Sequence, residues 1–429
     1  MDGHLRVERL SPFDLLMPRT YVRMLLVFRT SASVATVSER LNIGLATLSK
    51  QAPWITGRVF PTTPVSSEPQ RLELRWKVEA GPLVLADVGS IAESYEALSE
   101  AGMPPSAFPP SVWPLDDMDE DTFSREGALV FGASVFGFAD YQGIGLGICM
   151  HHNVTDATGL TEIIKVWAGN ILASEPITLP PLTGRIEYLR AALSDKIEKA
   201  SNKPLDNLIR ELQSILGDSA SKPITTNTLL CGVLWSAITR ARMQRMLARP
   251  TTESSRLIMA TNARRHIGSG SFGSNSDYLG NAVLYSLATS TLGDLSVSQP
   301  SLTQALAKIC DVVAASQSRI DVDHVSEVYS LTERMEDYRA IFPGWDLFGS
   351  RDLVITSWAN LDIYKADFGP ELGTLEFIRP PFSEAADGVC IVMPRRRNID
   401  DEKLDVMVML RKDDLDSLEK DDRWKTLVG

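Results

Sequence analysis

The sequence predicts a soluble α/β protein with mixed sheets, built as two domains of similar size. Three observations lead there. The chain has 429 residues, 44% of them hydrophobic and 23% charged, which is enough for two cores and unusually large for one. Short β-prone runs alternate with apolar stripes at helical spacing along its length. Midway, Pro176, Pro180 and Pro181 punctuate residues 174–184, the pattern of a crossover between domains. The expected division is 1–175, a crossover at 176–216, and 217–429.

In order along the chain, Tyr21 to Phe28 is an apolar, β-prone run, and Val37, Leu41, Leu45 and Leu48 mark a helical face that stops before Pro53. Residues 102–121, with five prolines and several acids, read as a surface loop. Two strands are expected at Ala128–Phe138 and Gly145–Met150, then a helix on which Leu160, Ile163, Ile164, Trp167 and Ile171 share one face. The charged stretch 186–216 continues the crossover. A second αβ unit opens on the stripe Leu229, Leu230, Val233, Leu234, Ala237, Ile238 and Ala241. Strands are expected at 256–261, 282–287, 352–358, 388–393 and 405–410, with helices near 302–318 and 326–340.

A net charge of −12 argues against nucleic acid or an anionic membrane as partner, since both select basic surfaces. The opening Met1–Arg6 lacks the apolar core of a secretion signal, and no run is apolar enough to span a bilayer. A cytoplasmic protein is expected. The four cysteines, Cys149, Cys231, Cys310 and Cys390, lie far apart in apolar segments, so buried free thiols are expected and a metal site is not.

His151-His152-Asn153-Val154-Thr155-Asp156 carries the clearest chemistry. Two of only five histidines stand together at a strand end. Neighbours on a strand point to opposite faces, so one of them faces a given cleft, and the spacing to Asp156 favours His152. An imidazole can take a proton from a hydroxyl at neutral pH. Alone, the pair reads equally as a capped helix beside a core histidine. Gly143, Gly145 and Gly147 precede a strand, whereas a dinucleotide site needs a glycine turn that opens a helix. The Gly/Ser-rich stretch 268–276 reads as a loop, and Arg395-Arg396-Arg397 as a solvated strand end. No G-x-S-x-G elbow is present.

Taken together and in order, several segments resemble one family, the acyl-CoA-dependent BAHD acyltransferases, in the fungal branch that includes trichothecene 3-O-acetyltransferase. They are Leu10-Ser11-Pro12-Phe13-Asp14, the H-x-x-x-D of His152 and Asp156, and the helix from Trp235 to Arg242. Asn262-Ala263-Arg264, Tyr278-Leu279-Gly280-Asn281, Thr356-Ser357-Trp358 and Asp367-Phe368-Gly369 follow. The resemblance implies two chloramphenicol-acetyltransferase-like domains with a channel at their interface. It implies His152 as general base, Asp156 as a structural anchor paired with Arg264, and Trp358 or Thr356 as donor to the oxyanion. Asp367 and Gly369 would hold geometry near the site, and Ser357 and Arg379 would contact the cofactor. The family's longer D-F-G-W-G is absent, because Pro370 and Glu371 follow Gly369. Ala157 also replaces a frequent glycine.

The expected reaction is O-acylation, as acetylation, of a hydroxylated fungal secondary metabolite (terpenoid, polyketide or alkaloid) by acyl-CoA. It proceeds in a ternary complex, without metal, in a monomer. The alternatives are a condensation-like or cyclising member acting on carrier-bound or polyketide substrates, and a non-catalytic binding homologue.

Overall fold

The computed structural model describes residues 4–62, 70–173, 184–194, 224–267, 278–296, 302–338, 349–382, 386–396 and 404–428, with residues 177, 179, 341 and 346 between them. The prolines of the crossover, its helical continuation beyond residue 194, the Gly/Ser-rich stretch 268–276 and Arg397 lie outside these residues.

The first half contains β1 (Leu5–Arg9), α1 (Pro12–Leu15), β2 (Tyr21–Arg29), α2 (Val34–Gln51), β3 (Arg58–Pro61), β4 (Leu72–Lys77) and β5 (Ala86–Ser90). It continues with α3 (Tyr95–Glu100), α4 (Glu120–Glu126), β6 (Ala128–Leu129), β7 (Phe131–Gly137), β8 (Gly143–His151) and α5 (Ala157–Leu172). After α6 (Arg185–Ser194) come α7 (Thr226–Arg245), β9 (Ser254–Asn262), β10 (Val283–Thr291), α8 (Leu292–Ser296), α9 (Leu302–Ser318) and α10 (Val322–Arg334). β11 (Leu353–Ser357), β12 (Thr374–Arg379), β13 (Val389–Val392), β14 (Val406–Met409), α11 (Lys412–Lys420) and α12 (Asp422–Val428) complete the chain.

Two five-stranded mixed sheets, β12-β2-β8-β7-β5 and β10-β9-β11-β13-β14, form the frame, with a smaller sheet β1-β4-β3-β6 beside the first. Both large sheets combine parallel and antiparallel pairs. β12, from the second half, pairs antiparallel with β2. The Thr30 hydroxyl reinforces this exchange by donating to the Glu371 carbonyl, 341 residues away.

β2 and β8 are apolar on both faces because both are covered. On one side Met24, Leu26, Phe28, Ile144, Leu146, Ile148 and Met150 meet α2 and α5. On the other, the proline-rich segment lies flat. It is not a free surface loop: it makes two 3-10 turns and buries Met103 and Val112 completely. The glycines Gly143, Gly145 and Gly147 lie within β8, not before it. A Cβ at any of them would collide with the Tyr95 ring, the Phe136 ring or the Val112 carbonyl, so the aromatic cover demands glycine.

Candidate active site

β8 delivers both histidines to its end. The His151 N–H donates to the Val130 carbonyl and the His152 N–H to the Thr20 carbonyl, both at 2.8 Å. Neighbours so bonded face opposite ways. His151 stacks on Phe123 (centroids 6.2 Å apart, planes at 16°) and meets the edge of Tyr21. Burial, with the adjacent His152, pushes its pKa down to about 3, so it is a neutral packing residue. His152 turns the other way and keeps part of its surface exposed. Burial also lowers its pKa, against the opposing pull of its own carbonyl, the Asp156 charge and the Asn281 side chain. It is therefore neutral at pH 7, with one ring nitrogen free to accept a proton.

Asp156 faces away from His152. It caps α5, accepting from the Thr158 and Gly159 amides at 3.0 and 3.1 Å. Arg264 grips the same carboxylate with two donors, Nη1 to Oδ2 at 2.8 Å and Nη2 to Oδ1 at 2.9 Å, and the Ala282 amide adds a fifth at 3.0 Å. Burial alone would raise the Asp156 pKa, but the Arg264 charge and these donors hold it below the usual carboxylate range. The remaining Arg264 donors reach the Tyr278 and Gly280 carbonyls at 2.9 and 2.6 Å. This pair fastens α5 of the first half to the 278–282 segment of the second. Gly159 permits that approach, since a Cβ there would meet the Leu279 carbonyl. Ala157, the first residue of α5, has no positive φ, so it replaces glycine without strain.

A second buried ion pair lies beneath the same turn. Asp14, fully buried in α1, accepts from the Ser11 amide and hydroxyl, from Arg185 Nη1 at 2.9 Å, and from the Asn281 amide and side chain at 3.2 and 2.9 Å. Asn281 Nδ2 also donates to the His152 carbonyl at 2.8 Å. Arg185 Nη1 reaches the Val154 carbonyl at 3.2 Å, and Asn153 Nδ2 donates to the Asp14 and Met17 carbonyls at 2.6 and 2.8 Å. Sequence reasoning passed over Arg185, which stands in a segment with no motif. The available signal was Asp14 itself, because a carboxylate inside the apolar run Pro12–Leu16 demands a buried cation.

β11 brings Thr356 and Ser357, both partly exposed, to the end of the second sheet, where Trp358 follows, buried against the first core. Ser357 helps to line a cavity of about 710 Å³ between the halves. Thr158, Thr161 and Lys165 of α5 form one wall, and Asn262, Arg265 and Asn227 form the other. Two predicted site residues sit elsewhere. Arg379 is 7% exposed, and its guanidinium is engaged by the Gly102, Met103 and Ile378 carbonyls; it pins the proline-rich segment instead of lining the cavity. Asp367 is exposed and, among the described residues, accepts only the Gly369 amide of its own turn, at 2.9 Å. The packing expected of it belongs to Phe368, wedged edge-on against Phe28 and Trp167, while Gly369 takes the φ of +96° that the turn requires. Among the described residues, no cluster of histidine, cysteine and acidic side chains could hold a metal ion, and no helix is long and apolar enough to cross a membrane.

A neutral, partly exposed histidine at the junction of two mixed αβ halves, with a polar cavity also lined by both halves, fits an acyltransferase of the two-domain type. The chain belongs to the Transferase family, the BAHD-type acyl-CoA-dependent acyltransferases: that family's model matches residues 194–424, and a trichothecene 3-O-acetyltransferase-like N-terminal domain matches residues 20–169. The chain is similar to the trichothecene 8-O-acetyltransferase of Fusarium sporotrichioides (26% identical, covering 97% of this chain and 96% of that one). It is also similar to the O-acetyltransferase ptmV of Penicillium ochrochloron (23%, 90% of each). Its fold matches the crystal structure of F. sporotrichioides TRI101 complexed with coenzyme A and T-2, with a TM-score of 0.78 and 21% identity over 98% of each chain.

Proposed function

We propose that this acyltransferase acetylates a hydroxyl of a small fungal secondary metabolite, with His152 as general base. The observation that carries the reading is the division of labour in the His152–Asp156 turn. Asp156 has all its acceptor capacity committed to Arg264 and to amides, which leaves the neutral, partly exposed His152 to do proton chemistry. His152 accepts the proton of the acceptor hydroxyl as that oxygen attacks the thioester carbonyl. The tetrahedral intermediate then collapses, the C–S bond breaks, and His152 returns the proton to the departing CoA thiolate.

No covalent acyl-enzyme is required, since both substrates can meet at one imidazole. The Trp358 indole N–H or the Thr356 hydroxyl is the donor to the oxyanion, a contribution of about 3 to 4 kcal/mol to the barrier. The cavity suits an acyl-pantetheine arm. Thr158, Asn262 and Ser357 offer partners for its amides, and Arg265 offers positive charge for its phosphates. We assign the cavity to acetyl-CoA on that chemistry, and we place the enzyme in the cytoplasm as a monomer whose partners are a CoA thioester and a small hydroxylated acceptor, not nucleic acid or membrane.

The test is the mass of candidate hydroxylated terpenoids, polyketides and alkaloids incubated with acetyl-CoA and enzyme. One acetyl unit is gained with the wild type, and the gain is abolished in a folded His152→Ala variant. Full turnover by that variant would remove His152 from the chemistry.

A further inference from the structure

Two features of the turn after β8 are unexplained by Asp156 and Arg264. The carbonyls of His152 and Val154 accept from other side chains, and two buried polar atoms next to the turn, His152 Nδ1 and Asn281 Oδ1, have no full hydrogen-bond partner among the described residues. Buried polar groups are rarely left so unless their neighbours hold them in place for a reason. The elements that hold them come from three distant parts of the chain.

Asp14 fixes both the amide and the side chain of Asn281, whose Nδ2 then meets the His152 carbonyl. Arg185 pairs with Asp14 and donates to the Val154 carbonyl. Both ends of the tripeptide His152-Asn153-Val154 are thus tied through one ion pair, and its middle residue is tied to the Asp14 carbonyl. With that backbone immobile, Nδ1 stays buried beside the Asn281 amide and the other ring nitrogen is directed outward.

We propose that Arg185, from the helix of the crossover, is a positioning residue for acyl transfer: paired with Asp14, it fixes the His152 imidazole through the carbonyls of His152 and Val154. Arg185 touches no reacting atom. One nitrogen, Nη1, reaches both Asp14 and the Val154 carbonyl while Nε meets Glu8 at 3.4 Å, and a lysine ammonium, without that second anchor on a rigid plane, does not hold its nitrogen at the same point. The inference rests on His152 being the base.

The experiment compares Arg185→Lys and Arg185→Met with wild type and with His152→Ala. Histidine-selective 15N spectra give the tautomer of His152, and initial rates are taken with acetyl-CoA and a trichothecene alcohol as acceptor probe. In wild type the proton sits on Nδ1 and Nε2 resonates as a bare nitrogen. In both Arg185 variants the two nitrogens move toward averaged positions, and kcat falls on the order of 10- to 100-fold while KM for acetyl-CoA is little changed. Arg185→Lys keeps the charge, so it carries the test if Arg185→Met does not fold. A folded Arg185→Lys with wild-type 15N positions and kcat overturns the proposal, as does a drop in melting temperature with neither change. His152→Ala separates the two readings: turnover there removes the base, whereas a dead His152→Ala beside an unaffected Arg185→Lys leaves the base and removes the positioning role.

Discussion

The two buried carboxylates under the His152–Asp156 turn, Asp156 and Asp14, are built alike and held differently. Each receives five hydrogen bonds, each pairs with an arginine from later in the chain, and each takes a backbone amide from the segment 278–282, Ala282 for one and Asn281 for the other. Asp156 is gripped by both Nη atoms of Arg264. Asp14 is gripped by one Nη of Arg185, whose other Nη is buried without a partner among the described residues. Bidentate pairing fixes distance and plane, and single-donor pairing fixes distance alone. The first pair is a fastener between halves, and the second passes its constraint on, through Asn281 and Val154, to the histidine.

The largest effect is therefore expected at Arg264. Arg264→Met strands a buried carboxylate and lowers stability by about 3 to 5 kcal/mol in denaturant titration. Arg185→Met is milder, at the low end of that range, about 3 kcal/mol, because Asp14 loses its counter-charge but keeps four of its five donors. Equal losses at the two sites would erase the distinction between fastener and relay.

The third effect concerns the neighbour that the relay does not touch. His151 has a folded pKa of about 3 against roughly 6.5 unfolded, so below pH 6.5 the unfolded chain binds the extra proton. Stability falls as pH drops from about 6.5 toward 3, by on the order of 1.4 kcal/mol per pH unit from this group. His151→Phe keeps the stacking and flattens that slope in pH-dependent denaturation; an unchanged slope would show that His151 is not its source. The smallest effect is at Asp367. Its exposed turn contact makes Asp367→Ala worth about 0.5 to 1 kcal/mol in melting experiments, and a loss comparable to that at Arg264 would restore the geometry-holding role expected of it.

How far these sites were legible in the sequence follows from the range of their contacts. The strands and helices around them rest on local periodicity, so β2, β8, α5 and β9 lie close to where apolar spacing puts them. Asp156 was readable because its cap lies within three residues, and family likeness supplied Arg264. Arg185 was not readable: its partner is 171 residues distant, and an arginine ahead of an amphipathic helix looks like any solvated one. Arg379 failed in the opposite sense. A basic residue at a strand end suggests an anion site, and only the folded chain shows three carbonyls already in possession of its guanidinium. Phe368 was hidden by the prominence of its acidic neighbour, although an apolar ring in a turn was the better sign of burial.

The strand exchange that joins β12 to β2 also sets a clock. On the ribosome, β2 and its partner β8 are both made well before β12 exists. At about 5 to 20 residues per second, the 341 residues between Thr30 and Glu371 take on the order of 20 to 70 seconds to make. Through that interval the edge strand Met24-Leu25-Leu26-Val27-Phe28 offers open hydrogen-bonding groups and apolar side chains to any passing chain. Slower synthesis of the residues between β2 and β12 would lengthen that exposure.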